Sequence, residues 1–166
     1  MQSRRELLAL GTLAGAALLL PSPKAAAQCS RDGQLEAVGA ALLERYVAAV
    51  NARDFSAFGE IFAESYIQHS GRSANGLAAQ IENFRGMQAR MPDVEMRVED
   101  RILAGDKVVA RNSFNATHTQ PIQGIAPTGR RFTLRTIDIW RVEKGRFAEH
   151  WDVVDFAGLQ NQLRGG

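Results

Sequence analysis

Asp138, Asp152 and His150 stand among large apolar residues in the stretch PTGRRFTLRTIDIWRVEKGRFAEHWDVVD, residues 127–155. Its alternation predicts a β-hairpin turning at Glu143, Lys144 and Gly145. On the first strand Thr136, Asp138, Trp140 and Val142 share one parity. On the return strand Ala148, His150, Asp152 and Val154 share one, opposed by Phe147, Glu149, Trp151 and Val153. A strand facing only water would not carry Trp140 and Trp151, and one facing only a core would not carry Asp138 and Asp152, because an unpaired buried carboxylate is costly. A polar cavity in an apolar sheet reconciles the two. A carboxyl in such a cavity can take a proton from carbon and return it to oxygen, which is general acid/base chemistry.

The elements that must hold these groups follow from periodicity. Leu35, Val38, Leu42, Tyr46, Ala49 and Val50 predict an amphipathic helix over 34–51. Asp54 can cap a short second helix over 55–62, whose stripe Phe55, Phe58, Ile61 and Phe62 reads as core. Residues 65–71 form a strand or loop, and a third helix through Leu77, Ile81, Phe84 and Met91 stops at Pro92. From Asp93 onward the period becomes alternating, with Gly105-Asp106 turning between strands over 94–103 and 107–119. In the second of these, His118 shares the more apolar parity with Val108, Ala110, Phe114 and Ala116. Phe156 to Leu163 predicts a terminal helical turn or two. Helices followed by antiparallel strands predict an α+β domain with the helices on one face of a strongly bent sheet, whose open mouth is a pocket.

The chain's beginning has a different character. Arg4 and Arg5 precede an apolar run from Leu7 to Leu20, then a proline-containing segment and Ala25-Ala26-Ala27, the pattern of a secretory signal peptide over residues 1–27. Ser3-Arg4-Arg5 resembles the twin-arginine export motif, and the run is short for a membrane span. Removing 27 of the 166 residues leaves 139, a single domain over 28–166 that is exported to the periplasm or beyond and not bound to a membrane. Arg4, Arg5, Lys24 and Glu6 leave with the signal, so 17 of 20 basic and 17 of 18 acidic residues remain. The mature chain is formally neutral, and no basic cluster with interleaved aromatics suggests a nucleic-acid partner. Cys29 is the lone cysteine, so no internal disulfide forms.

Several motifs recur in a known order: Tyr66-Ile67-Gln68-His69, Gly105-Asp106-Lys107-Val108-Val109-Ala110-Arg111, Ala116-Thr117-His118-Thr119, Pro127-Thr128-Gly129-Arg130-Arg131, Ile137-Asp138 and Glu149-His150-Trp151-Asp152. Together, from about Tyr46 to Leu163, they resemble the SnoaL-like polyketide cyclases and ester cyclases of the nuclear transport factor 2-like superfamily. The resemblance implies a cone-shaped domain, no metal or organic cofactor, and an acidic residue closing a ring by intramolecular aldol condensation. Asp152 stands at the acidic position, Gln68 at a polar substrate-orienting one, and His118 matches a family histidine, whereas Asp138 stands where the cyclases carry histidine. The catalytic candidates are therefore Asp152, His118 and Asp138, and the substrate-contact candidates are Gln68, His69, His150, Trp140 and Trp151.

Competing readings remain open. Asp152 could be a structural carboxylate paired with Arg130, Arg131 or Arg135, and the histidines could be packing residues. The histidines and aspartates suit zinc or iron, but none sit at ligand spacing, and no metal is expected. The leading expectation is an acid/base enzyme on a small hydrophobic carbonyl compound. The same cone without turnover, binding a small molecule or a partner, is the second. An epoxide hydrolase of the limonene type, with Asp138 and Asp152 sharing a water beside an arginine, is the third. The open sheet face is expected to pair two copies into a homodimer.

Overall fold

The computed structural model describes residues 22–165. Most of the expected export signal, including Arg4 and Arg5, lies outside the described residues. The first helix, α1, spans Pro23–Ala52, beginning well before the amphipathic stripe. Pro23 sits in its first turn, where a missing N–H is harmless, and Ser22 Oγ accepts from Ala25 N at 3.3 Å. Its early turns are exposed and its later ones bury Leu42, Leu43, Tyr46, Ala49 and Val50. Arg53 closes it in the left-handed conformation.

A 3-10 turn, Phe55–Ala57, capped by Asp54 as expected, leads into α2, Phe58–Ile61, and then β1, Phe62–Gln68. Phe62 was expected to finish the helix; it opens the strand instead, in parallel register with Phe147. α3 runs over Leu77–Arg90 and stops before Pro92. β2 (Glu95–Ala104), β3 (Lys107–Thr117), β4 (Arg131–Glu143) and β5 (Arg146–Val154) follow, and α4, Phe156–Arg164, ends the chain. The sheet order is β1-β5-β4-β3-β2, antiparallel except for β1 against β5. This is the α+β domain expected, with helices packed on a five-stranded sheet.

One irregularity decides what the sheet presents to its helices. The β4–β5 hairpin pairs Val142 with Phe147 but Arg141 with Glu149, so Ala148 is an extra residue in β5. Before this bulge Phe147 points into the core; after it His150, Asp152 and Val154 point to the same side. A strict alternation from Phe147 would have turned Glu149, Trp151 and Val153 inward. The bulge lets one strand supply both an apolar floor and a polar wall.

The core is aromatic at its centre. Tyr46 meets Phe62, Phe84 and Trp140, each at 5.6 Å between ring centroids, and Phe58 packs between Phe55, Phe62 and Phe84. α1 approaches the sheet so closely that a Cβ on Gly39 would lie 2.5 Å from Val108 Cγ2. Val108 is buried and β-branched, so it cannot yield by a simple rotation. Gly39→Ala, which improves intrinsic helix propensity, is therefore expected to destabilise the domain by about 1–3 kcal/mol through overpacking, measured as a lowered denaturation midpoint. An unchanged or raised midpoint would show that α1 can move off the sheet.

Candidate active site

The inner faces of β4 and β5 bring two aspartates directly opposite one another, Asp138 against Asp152, with Trp140 opposite His150. Asp138, His150 and Asp152 border a cavity of about 360 Å³ between the sheet, α3 and α4. Its polar wall includes Gln68, Arg72, Asp138, His150 and Asp152. Phe84, Met87, Phe114, Leu134 and Phe156 are among its apolar residues. A volume of this size suits a small organic ligand, and the mixed lining suits one that carries both apolar surface and polar atoms.

Asp138 is the most heavily bonded group in the site. Its Oδ1 accepts from His150 Nε2 at 2.8 Å, and its Oδ2 accepts from Asn112 Nδ2 at 2.8 Å and from the Thr136 hydroxyl. Asn112 and Thr136 are register partners on β3 and β4, so the sheet itself assembles the cradle. On the other side of the imidazole, the Gln68 amide N–H donates to His150 Nδ1 at 2.8 Å, and Gln68 Oε1 accepts from Ser70 N at 3.2 Å. The Ser70 contact fixes which end of the amide faces the ring. His150 Nδ1 is thereby an acceptor, and Nε2 carries the hydrogen given to Asp138. Both ring nitrogens are occupied by protein. His150 is thus a rigid link between Gln68 and Asp138, further held by Trp140 stacked on it at 5.0 Å and 6°.

Asp152 is arranged differently. Its side chain is only 6% exposed; Oδ2 is ion-paired with the Arg72 guanidinium, and Oδ1 is buried with no hydrogen-bond partner among the described residues. A carboxylate on a cavity-lining residue, held at one oxygen and without a partner at the other, is a candidate proton acceptor. Tyr46 also lines this space, and burial, followed by the nearby Asp138, pushes its hydroxyl well above the ordinary phenol range. It is a donor only.

Four of the eight expected site residues therefore converge: Asp138, His150, Asp152 and Gln68. The other four do not line the cavity. Trp140 is buried beneath His150 as part of the core rather than as a contact wall. Trp151 follows the outward parity of β5 and stacks on His69 at 4.5 Å and 2°, with Lys107 Nζ 5.8 Å from its ring. His69 is tied there by Glu149 Oε2 at 2.8 Å, and that bond, followed by Arg141 at 2.6 Å from Glu149 Oε1, holds the Glu149 carboxyl below its usual range. His118 has the inward parity but stands six residues beyond Asn112, about 20 Å along an extended chain. It is fully buried, its Nδ1 accepting from Thr128 N at 3.2 Å and lying 3.0 Å from Thr128 Oγ1. It fastens the segment before β4.

Arg72 is the partner of Asp152 in place of Arg130, Arg131 or Arg135. It and Tyr46 are the site residues the sequence reasoning missed. Gly71-Arg72 lies in a polar loop 80 residues from Asp152, and only the parallel pairing of β1 with β5 brings that loop over the cavity. Among the described residues no cluster of three His, Cys, Asp or Glu side chains is disposed to hold a metal ion. Nor is any described helix long and apolar enough to cross a membrane.

Comparison with known proteins bears on the same residues. A family model described as SnoaL-like polyketide cyclase matches residues 40–163. Among solved structures, the fold is similar to TsrD from Streptomyces laurentii, at 33% identity and a TM-score of 0.71 over 76% of this chain and 95% of that one. It is similar also to IdmH from Streptomyces antibioticus, described as a candidate polyketide cyclase, at 26% identity and TM-score 0.69 over 76% and 98% of the two chains. AclR from Streptomyces galilaeus, described as a candidate hydroxylase, matches at 27% identity and TM-score 0.69 over 77% and 85%. No curated protein matches the chain.

Proposed function

We propose, since the chain belongs to the SnoaL-like polyketide cyclase family, that it is a cofactor-independent acid/base enzyme that enolises a small hydrophobic carbonyl compound and closes or isomerises it. The observation that carries this reading is the buried, unpartnered Oδ1 of Asp152, a residue that lines a cavity with both polar and apolar walls. A ketone or ester bound there would present its acidic carbon to that oxygen. Removal of the proton yields an enolate, the enolate carbon attacks a second carbonyl of the same molecule, and the new alkoxide takes the proton back from the Asp152 carboxyl. Nothing is consumed except the open-chain isomer. Asp138, His150 and Gln68 act as positioning residues, because their polar atoms are already spent on one another. For the same reason Asp138 is poorly placed to share an attacking water with Asp152, which disfavours epoxide hydrolysis.

The arginine pair and apolar run at the N-terminus support export as part of this proposal. The uncovered sheet face, where Ile102, Ile137 and Val153 are exposed, supports pairing of two copies.

The test is isomerisation. Incubation of the protein alone with a panel of two- and three-carbonyl compounds of one to three rings' size, followed by chromatography and mass spectrometry, is expected to give a product of unchanged mass and altered retention. No product from any member of the panel, together with a ligand retained unchanged in native mass spectrometry, would instead make the cone a binding module.

A further inference from the structure

We propose that Arg72 is a catalytic residue, the group that binds the developing enolate oxygen; this rests on the enolising role of the cavity argued above. The guanidinium carries five N–H donors in one plane, and the ion pair with Asp152 Oδ2 uses Nη2. Among the described residues Arg72 has no second carboxylate partner. Its side chain is 41% exposed, so it is not locked in the interior, yet it lines the cavity. The carbon at the centre of its guanidinium lies 5.8 Å from the Phe156 ring centroid, against another wall of the same cavity.

The loop that carries Arg72 is tied to the positioning network. Arg72 N donates to Ser70 Oγ at 3.4 Å, Ser70 N donates to Gln68 Oε1, and Gln68 N donates to Asn75 Oδ1 at 2.9 Å. Gln68, through its side chain, holds His150. The loop conformation that aims Arg72 and the imidazole that braces Asp138 thus depend on the same glutamine.

This puts a free carboxylate oxygen and unspent cationic donors side by side. An enolisable carbonyl compound needs that pairing, because its acidic carbon and its oxygen are only two bonds apart. As Asp152 Oδ1 takes the proton, the C–H electron pair becomes the carbon–carbon π bond and the carbonyl π pair moves onto oxygen. Arg72 meets that charge with an N–H and stays protonated throughout. A neutral ground-state carbonyl gains far less from the guanidinium than the oxyanion does, so the contact acts chiefly on the transition state. An arginine that acted only as the ion-pair partner of Asp152 would, when lost, shift the pH dependence of proton transfer rather than lower its maximum.

The probe is 2-tetralone, a bicyclic ketone whose C1 protons exchange with deuterium oxide and are counted by proton NMR. The wild-type protein is expected to accelerate this exchange, and Asp152→Asn to abolish the acceleration. Arg72→Gln is expected to lower it by about 10²-fold, the usual effect of losing one oxyanion donor, chiefly in kcat rather than KM. Arg72→Lys, which keeps the charge without the planar fork, should recover part of the loss. Tyr46→Phe removes a neutral hydroxyl donor that also lines the cavity and should cost less than Arg72→Gln. Exchange at the wild-type rate in Arg72→Gln, with Asp152→Asn inactive, would overturn the role of Arg72 and leave that of Asp152 standing. A larger loss in Tyr46→Phe than in Arg72→Gln would overturn it likewise. Absence of acceleration by the wild-type protein would overturn the enolising role itself.

Discussion

Asp152→Asn is expected to lower turnover by about 10³-fold while leaving the domain folded, because a positioned general base supplies roughly that factor. The substitution keeps the shape of the side chain and removes only its ability to take a proton. Its structural cost is small: the ion pair with Arg72 involves a partly exposed guanidinium, and Asp152 Oδ1 has no partner to lose among the described residues. Since proton transfer is felt only in the transition state, kcat and kcat/KM should fall together with KM little changed. Steady-state rates on any compound that the protein isomerises, beside a thermal melt, decide the point. Turnover within a few-fold of wild type would remove Asp152 from the reaction. A collapse of the melt would instead make the residue structural.

Asp138→Ala should behave in the opposite way, as a folding defect first. Asp138 is buried and accepts from His150, Asn112 and the Thr136 hydroxyl, so its removal strands three donors where water has little access. Breaking a buried charged network from one side typically costs about 3–5 kcal/mol, which in a domain of this size lowers the melting temperature by roughly 10 °C or more. Asp138→Asn, which can still accept through one oxygen, should cost less. The loss of activity in either variant should follow the loosening of His150 and Gln68, and appear in KM as well as kcat. A melt unchanged by Asp138→Ala would mean that the network contributes no stability and that Gln68 and the Trp140 stack suffice to hold His150.

The contrast between the two aspartates shows how far the sequence could be read. Alternation placed Asp138 and Asp152 on one side of a hairpin, and the structure makes them register partners. Strand parity fails to say how deep a residue lies or how far along the sheet. Trp140 and His118 have the inward parity, yet one is covered by His150 and the other stands beyond the cavity under Thr128. The extra residue at Ala148 was also hidden, since an alternating pattern interrupted once leaves Phe147 apparently facing away from His150. It faces the same way. Helix termini were legible where a cap or a proline marked them, at Asp54 and Pro92, and illegible at Phe62, where pairing with Phe147 overrode helical periodicity. The Arg72 contact was beyond reach for a different reason: it joins positions 80 apart, through a loop whose composition shows only that it is a loop.

The central claim is that the reacting carbon of the substrate sits on Asp152 Oδ1, inside the cone. The most direct measurement is the position of a bound ligand, using a compound that the wild-type protein isomerises, co-crystallised with Asp152→Asn so that it persists. The carbon that loses the proton is predicted within about 3–3.5 Å of the side chain at position 152, with the carbonyl oxygen turned toward Arg72. A ligand seated instead on the outer face of the sheet, against His69 and Trp151, would contradict the account.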